Sequence, residues 1–189
     1  MTIALCGSLG TGKSTVLEEM QEIRPDWVYF KENVRHQTKV FGYKNPWEIE
    51  KLASPEAFEL MNMNSFSVID PEMNPLIKDK KIFIDGGPAN IFAYYLLDRK
   101  TPVNRGAEEV MTRMGTHYAG LIKTFVYFPI GAIPLVGDGM RPDDPKYQKR
   151  LDQAIEETFK RLKIPTKRIH LLRAISIEDR VKEIMQLVR

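Results

Sequence analysis

Eight residues near the start of the chain, Gly7-Ser8-Leu9-Gly10-Thr11-Gly12-Lys13-Ser14, satisfy G-x-x-x-x-G-K-[ST] at every fixed position. The chemistry explains the spacing. Glycines let the backbone take dihedrals that other residues avoid. A chain turned in this way aims successive N–H groups into one anion-binding concavity. A helix starting at the same point adds the positive end of its dipole. In such a loop Lys13 would reach the β- and γ-phosphates of a nucleotide, and the Ser14 hydroxyl would ligate Mg2+. The candidate nucleotide contacts are therefore Gly7, Leu9, Gly10, Thr11, Gly12, Lys13, Ser14 and Thr15.

Two acids complete the candidate chemistry. Asp85 closes the apolar run Ile82-Phe83-Ile84. An acid there would hold the magnesium shell or take the proton of an acceptor hydroxyl, and the plainer alternative is a cap for the next helix. Glu32 follows the apolar run at residues 27–30 and is the second base candidate, because phosphoryl transfer to an alcohol benefits from a positioned carboxylate. Arg35 is placed to grip an anionic or carbonyl group of the acceptor, whereas His36 reads as an ordinary loop residue. Arg141 lies in the Gly- and Pro-rich stretch 129–144, and an arginine on a closing loop stabilises charge on a transferring phosphoryl group. Lys146, Lys149 and Arg150 read as a solvated basic face. Phe92, Tyr94 and Tyr95 are divided between an acceptor pocket and the core, while Met61, Met63 and Met73 read as core.

These residues need elements to hold them. Short, uniformly apolar runs at 2–6, 27–30, 81–85, 124–128 and 168–172 read as strands buried on both faces, as in a parallel sheet. Helical patterns fill the gaps. They begin at residue 14, run over 55–78 with Pro71 and Pro75 as breakers, and cover 89–98 and 106–123. Leu151, Ile155, Phe159 and Leu162 form the apolar stripe of a helix over 145–162. Ser176 and Asp179 form a capping box for a last helix reaching Leu187. Strands alternating with helices, and a phosphate loop after the first strand, predict an α/β three-layer fold with a five-stranded parallel sheet and helices on both faces. Ligands in such folds sit at the carboxyl ends of the strands.

Composition bounds the function. A chain of 189 residues, 43% hydrophobic and 28% charged, suits a single globular domain over 1–189, with a lid-like segment at about 136–150. A net charge of +3 does not favour a nucleic-acid partner. Cys6 is the sole cysteine, excludes an internal disulfide, and reads as a small core residue. The chain lacks an apolar run approaching 18 residues and enters its first strand at once, so neither a membrane span nor a signal peptide is expected, and a cytoplasmic location follows.

With these residues in view, the chain resembles the P-loop nucleoside and nucleotide kinases, in particular the small AAA-domain-labelled kinases that include the nicotinamide riboside kinase domain of a bacterial NAD regulator. The resemblance spans nearly the whole chain. It rests on the loop, on Glu32 with Arg35, on Asp138-Gly139-Met140-Arg141 before the amphipathic helix, and on Ser176-Ile177-Glu178-Asp179-Arg180-Val181. It implies an ATP- and Mg2+-dependent kinase that moves the γ-phosphoryl group to a nucleoside, nucleotide or similar small acceptor. It also implies that the turn containing Ala174 cradles the base. One departure stands out: related kinases carry Asp-Arg after the third strand, and here the chain reads Asp85-Gly86-Gly87-Pro88. Bacteriophage kinases of this broad class include some that act on hydroxymethylated bases in DNA, and two glycines would leave room for such a substrate. A P-loop NTPase switch with no phosphoryl acceptor is the rival from another class.

Overall fold

In the computed structural model the described residues are 1–31, 38–44, 48, 54–67, 77, 79–98, 104–135 and 144–188. Five strands, β1 (Thr2–Gly7), β2 (Val28–Phe30), β3 (Ile82–Asp85), β4 (Thr124–Phe128) and β5 (Ile169–Leu171), form one parallel sheet in the order β2-β3-β1-β4-β5. Six helices are described: α1 (Lys13–Ile23), α2 (Pro55–Ser67), α3 (Gly87–Asp98), α4 (Arg105–Leu121), α5 (Pro145–Arg161) and α6 (Ile177–Gln186).

The sheet is covered on both faces because its strands alternate between two apolar sets. Ala4, Cys6, Ile82, Ile84, Phe125 and Tyr127 pack in one core with apolar residues of α2, α3, α4 and α5. Ile3, Leu5, Phe83, Val126 and Phe128 pack in a second core with α1 and α6. The stripe expected on the amphipathic helix is the one that is buried: Leu151, Ile155, Phe159 and Leu162 all lie in the first core. Each fully buried aliphatic side chain of this kind contributes about 1.5–3 kcal/mol.

Boundaries moved where local geometry overrode the pattern. The third helix starts at Gly87 rather than Ala89. Gly86 and Gly87 take φ of +84° and +61°, which turns the chain straight out of β3, and Pro88 suits a first helical turn. The expected room beside these glycines is filled. A Cβ on Gly87 would sit 3.1 Å from Ala4 Cβ, and one on Gly86 would sit 3.2 Å from Asn90 Cβ. Tight turning, and not space for a bulky substrate, accounts for the glycine pair. Arg168 belongs to a 3-10 turn, Thr166–Arg168, and not to β5. The described part of the long helical pattern after Pro55 ends at Ser67, and Ile69, Pro71, Met73 and Pro75 lie outside the described residues. Among the described residues, no helix is long and apolar enough to cross a membrane.

Candidate functional site

The central strand β1 runs between β3 and β4, and the chain leaves its carboxyl end through the glycine loop into α1. Helices cross on opposite faces on either side of this strand, so the loop sits at the switch point of the sheet, where ligands bind in open α/β folds. Gly12 occupies the N-cap of α1 with φ +84° and ψ +14°. A Cβ there would lie 2.9 Å from Arg180 Nη1 and 3.1 Å from Ile133 Cδ1, so conformation and space both demand glycine.

Lys13 opens α1 and is 6% exposed. Its Nζ donates to Ser8 O at 2.8 Å and approaches Thr11 Oγ1 at 3.5 Å, folding the side chain back across the loop. The Thr11 hydroxyl donates to the same Ser8 carbonyl at 2.8 Å. Ser14 and Thr15 are exposed at the first turn of α1, while Leu9 and Thr11 are buried.

Asp85 ends β3 opposite Leu5 of β1, and Gly86 N donates to Leu5 O at 2.8 Å, so β3 stops beside the start of the loop. The Ser14 hydroxyl donates to Asp85 Oδ2 at 2.6 Å. Thus the structure brings together the loop hydroxyl and the strand-end acid that sequence reasoning had both turned toward a magnesium ion. Asp85 is 5% exposed, and a carboxylate at that depth is held by specific partners. Cys6 is fully buried below, with its thiol donating to Gly86 O at 3.2 Å; burial pushes the thiol up, away from the reactive thiolate.

On the far side of the loop, the turn around Ala174 is held by α6. Glu183 accepts from Ala174 N at 2.9 Å and Arg173 N at 3.2 Å, and it meets His170 Nε2 at 2.6 Å. Ser176 caps α6, its hydroxyl oxygen accepting from Asp179 N at 3.2 Å, and donates in turn to Asp179 Oδ2 at 2.7 Å. Ile175 projects from this turn with 66% exposure, an apolar surface next to Ala174. Burial raises the Glu183 carboxyl, but hydrogen bonds from His170 and the two backbone N–H groups outweigh it and hold the group below its ordinary value of 4.5. A depressed carboxylate stabilises the fold above its ordinary pKa and loses that contribution as pH falls through the depressed value. Glu183→Gln is therefore expected to cost about 1 kcal/mol at neutral pH. The gap to wild type should close as pH drops below the ordinary glutamate range, which thermal melts at a series of pH values would read.

The other expectations fall in three groups. Glu32, Arg35, His36 and Arg141 lie outside the described residues, and β3 separates β2 from the loop strand. Of the lid-like stretch, Asp144 is the N-cap of α5, its side chain accepting from Lys146 N at 2.8 Å, and residues 145–150 are helix. Lys146, Lys149 and Arg150 are exposed on that helix. Phe92 and Tyr95 are core residues, the second of the two alternatives their composition allowed, and Tyr95 stacks on Phe58 at 6.3 Å; Tyr94 is half-buried.

Three residues that contact the loop carry no role in the sequence reading. Asn90 of α3, Gln148 of α5 and Arg180 of α6 are 3%, 8% and 1% exposed, and each bonds the loop backbone. Their signal in the sequence is a polar side chain on an apolar helix face. Asn90 sits among Ala89, Ile91 and Phe92, Gln148 one turn before Leu151, and Arg180 between Ile177 and Ile184.

Comparisons agree with this architecture. A family model described as an AAA domain matches residues 2–180, and the chain belongs to that family. No curated protein sequence matches the chain. Among solved structures, NadR protein in complex with NAD and AMP-PNP superposes with a TM-score of 0.68 at 11% identity, over 98% of this chain and 48% of that one. The chain thus spans about half of that relative's length. Deoxyadenosine kinase from M. mycoides with bound dATP gives 0.60 at 16% identity, covering 100% and 99% of the two chains. Shikimate kinase from Acinetobacter baumannii in complex with shikimate gives 0.58 at 17% identity, covering 99% and 92%. The fold is that of the P-loop kinases.

Proposed function

We propose that this chain is an ATP- and Mg2+-dependent phosphotransferase that moves the γ-phosphoryl group to a hydroxyl or phosphate of a nucleoside, nucleotide or similar small acceptor. The observation that carries the reading is the 2.6 Å bond between Ser14 Oγ and Asp85 Oδ2 at the mouth of the glycine loop. A P-loop hydroxyl and a strand-end carboxylate in contact make the oxygen pair that a nucleotide-bound magnesium site uses. The donor set fits this ion: Mg2+ is typically bound through one or two carboxylates plus waters and substrate phosphates, rather than by a cage of protein acids. Among the described residues, no group of three or more His, Cys, Asp or Glu offers such a cage. When bound, Mg2+ supplies neutralisation of the charge on the β- and γ-oxygens.

The chain's own groups divide the remaining work. Residues 7–14 wrap the triphosphate. Lys13 gives up its contact with Ser8 O to bridge the β- and γ-phosphates, and Ser14 and Asp85 hold the metal side. The turn at Ala174 takes the base. Asp85 or Glu32 accepts the proton of the acceptor hydroxyl as the new O–P bond forms and the bond from the γ-phosphorus to the β–γ bridging oxygen breaks, leaving ADP. Arg35 orients the acceptor, and Arg141 closes over the phosphates and excludes water. Such an enzyme would act on soluble small molecules in the cytoplasm.

The acceptor is tested by following ADP release from ATP and Mg2+ against nucleosides, nucleoside monophosphates, nicotinamide riboside, shikimate and hydroxymethylated DNA. A rise with one small acceptor over the rate without it is the expected result. A slow rate indifferent to every acceptor would point to the NTPase switch, and a rise confined to DNA would overturn the small-molecule assignment.

A further inference from the structure

The backbone carbonyls of the glycine loop are held from outside by three different helices. Asn90 Nδ2 of α3 donates to Gly7 O at 2.9 Å, and its Oδ1 accepts from Gly7 N at 3.3 Å. Gln148 Nε2 of α5 donates to Leu9 O at 2.8 Å, while the Ser8 hydroxyl donates to Gln148 O at 2.8 Å. Arg180 Nη1 of α6 donates to Thr11 O at 2.7 Å, and its Nε donates to Ala174 O at 3.0 Å. The guanidinium also lies 5.7 Å over the ring of Phe128. The clamped carbonyls are those of residues 7, 9 and 11, alternate peptides along the loop.

A trans peptide is planar, and its C=O points opposite to the N–H of the following residue. Fixing the carbonyls of Gly7, Leu9 and Thr11 therefore fixes the N–H directions of Ser8, Gly10 and Gly12. Each of these N–H groups therefore points away from its own clamp, and none is spent on the helix that holds its carbonyl. An anion nest works only when its donors are already aligned, because each loose peptide would otherwise cost ordering free energy at the moment of binding.

We infer that Asn90, Gln148 and Arg180 are positioning residues that pre-align the loop N–H groups for the triphosphate. Gln148 and Arg180 act from opposite faces of the sheet. They tie the loop to the helix that follows residues 136–143 and to the turn at Ala174, so phosphate binding is coupled to both. This inference rests on the reading of the loop as a triphosphate site.

A double-mutant cycle on the full chain tests it, with titration calorimetry of inorganic tripolyphosphate as the readout and thermal melting as the fold check. Gln148→Met and Arg180→Met remove a donor and keep an apolar stem of similar reach. Each single variant is expected to weaken tripolyphosphate binding about tenfold. The double variant is expected to lose less than the product of the two, because a loop freed at one peptide has less order left to lose. Two residues that merely stabilised their own helices, on opposite faces, would give independent effects. Unchanged affinity in both single variants, or losses that multiply, would overturn the proposal. If Arg180→Met melts too low to titrate, Arg180→Lys takes its place, since lysine lacks the rigid fork whose separate Nε and Nη1 donors serve Ala174 O and Thr11 O. Failure of the wild type itself to bind tripolyphosphate would overturn the triphosphate reading instead, and the two failures are thereby told apart.

Discussion

Lys13→Ala is expected to reduce phosphoryl transfer by on the order of a hundred- to a thousandfold or more, the cost of removing one preorganised charge-stabilising donor from a transition state. The loss should fall mainly on kcat, because charge on the transferring group and its leaving oxygen is greatest in the transition state. The fold should survive. The amine's contacts with Ser8 O and Thr11 Oγ1 lie within the same loop, and the neighbouring carbonyls of Gly7 and Leu9 are held independently by Asn90 and Gln148. Circular dichroism and melting temperature near wild type, together with lost turnover, are the pattern to look for. Retained turnover would remove Lys13 from the chemistry.

Asp85→Asn carries the second large effect. The substitution is isosteric, and the Ser14 hydroxyl can still donate to the remaining carbonyl oxygen, so the 2.6 Å contact does not require the charge. What disappears is a carboxylate that could hold a metal or accept a proton. Loss of general-base assistance alone is worth roughly a hundred- to ten-thousandfold. Comparing Asp85→Asn with Glu32→Gln in steady-state kinetics separates the two base candidates. A rate loss for Asp85→Asn that excess Mg2+ partly restores assigns Asp85 to the metal side. If Glu32→Gln alone slows transfer, the proton goes to Glu32.

Much of this architecture was legible in the chain because it is written in local patterns. The five apolar runs became the five strands of a parallel sheet. The loop motif declared its own helix, and the stripe from Leu151 to Leu162 named the face that is buried. Asp85 was legible too, as an acid at the end of an apolar strand. The loop clamps were not. Asn90 and Gln148 lie 83 and 139 residues from the backbone atoms they hold, and Arg180 lies 169 from Thr11. A polar residue on an apolar stripe signals a buried partner without saying which one. Sheet order decided that, by placing α3, α5 and α6 around one loop. Aromatic residues stayed open for the converse reason: the composition of Phe92 and Tyr95 suits a pocket wall and a core alike, and tertiary packing placed them in the core. The Gly86-Gly87 pair likewise reads as space in a sequence, and packing shows it to be a turn pressed against Ala4 and Asn90.

The proposed reaction takes phosphoryl groups from ATP to an acceptor and not to water. Its most direct test is to supply γ-labelled ATP and Mg2+ with a pool of nucleosides, nucleotides and other small hydroxyl compounds, and to see where the label goes. Label on an organic acceptor, lost in Lys13→Ala, is the predicted result. Label released only as inorganic phosphate, at a rate no acceptor changes, would contradict it.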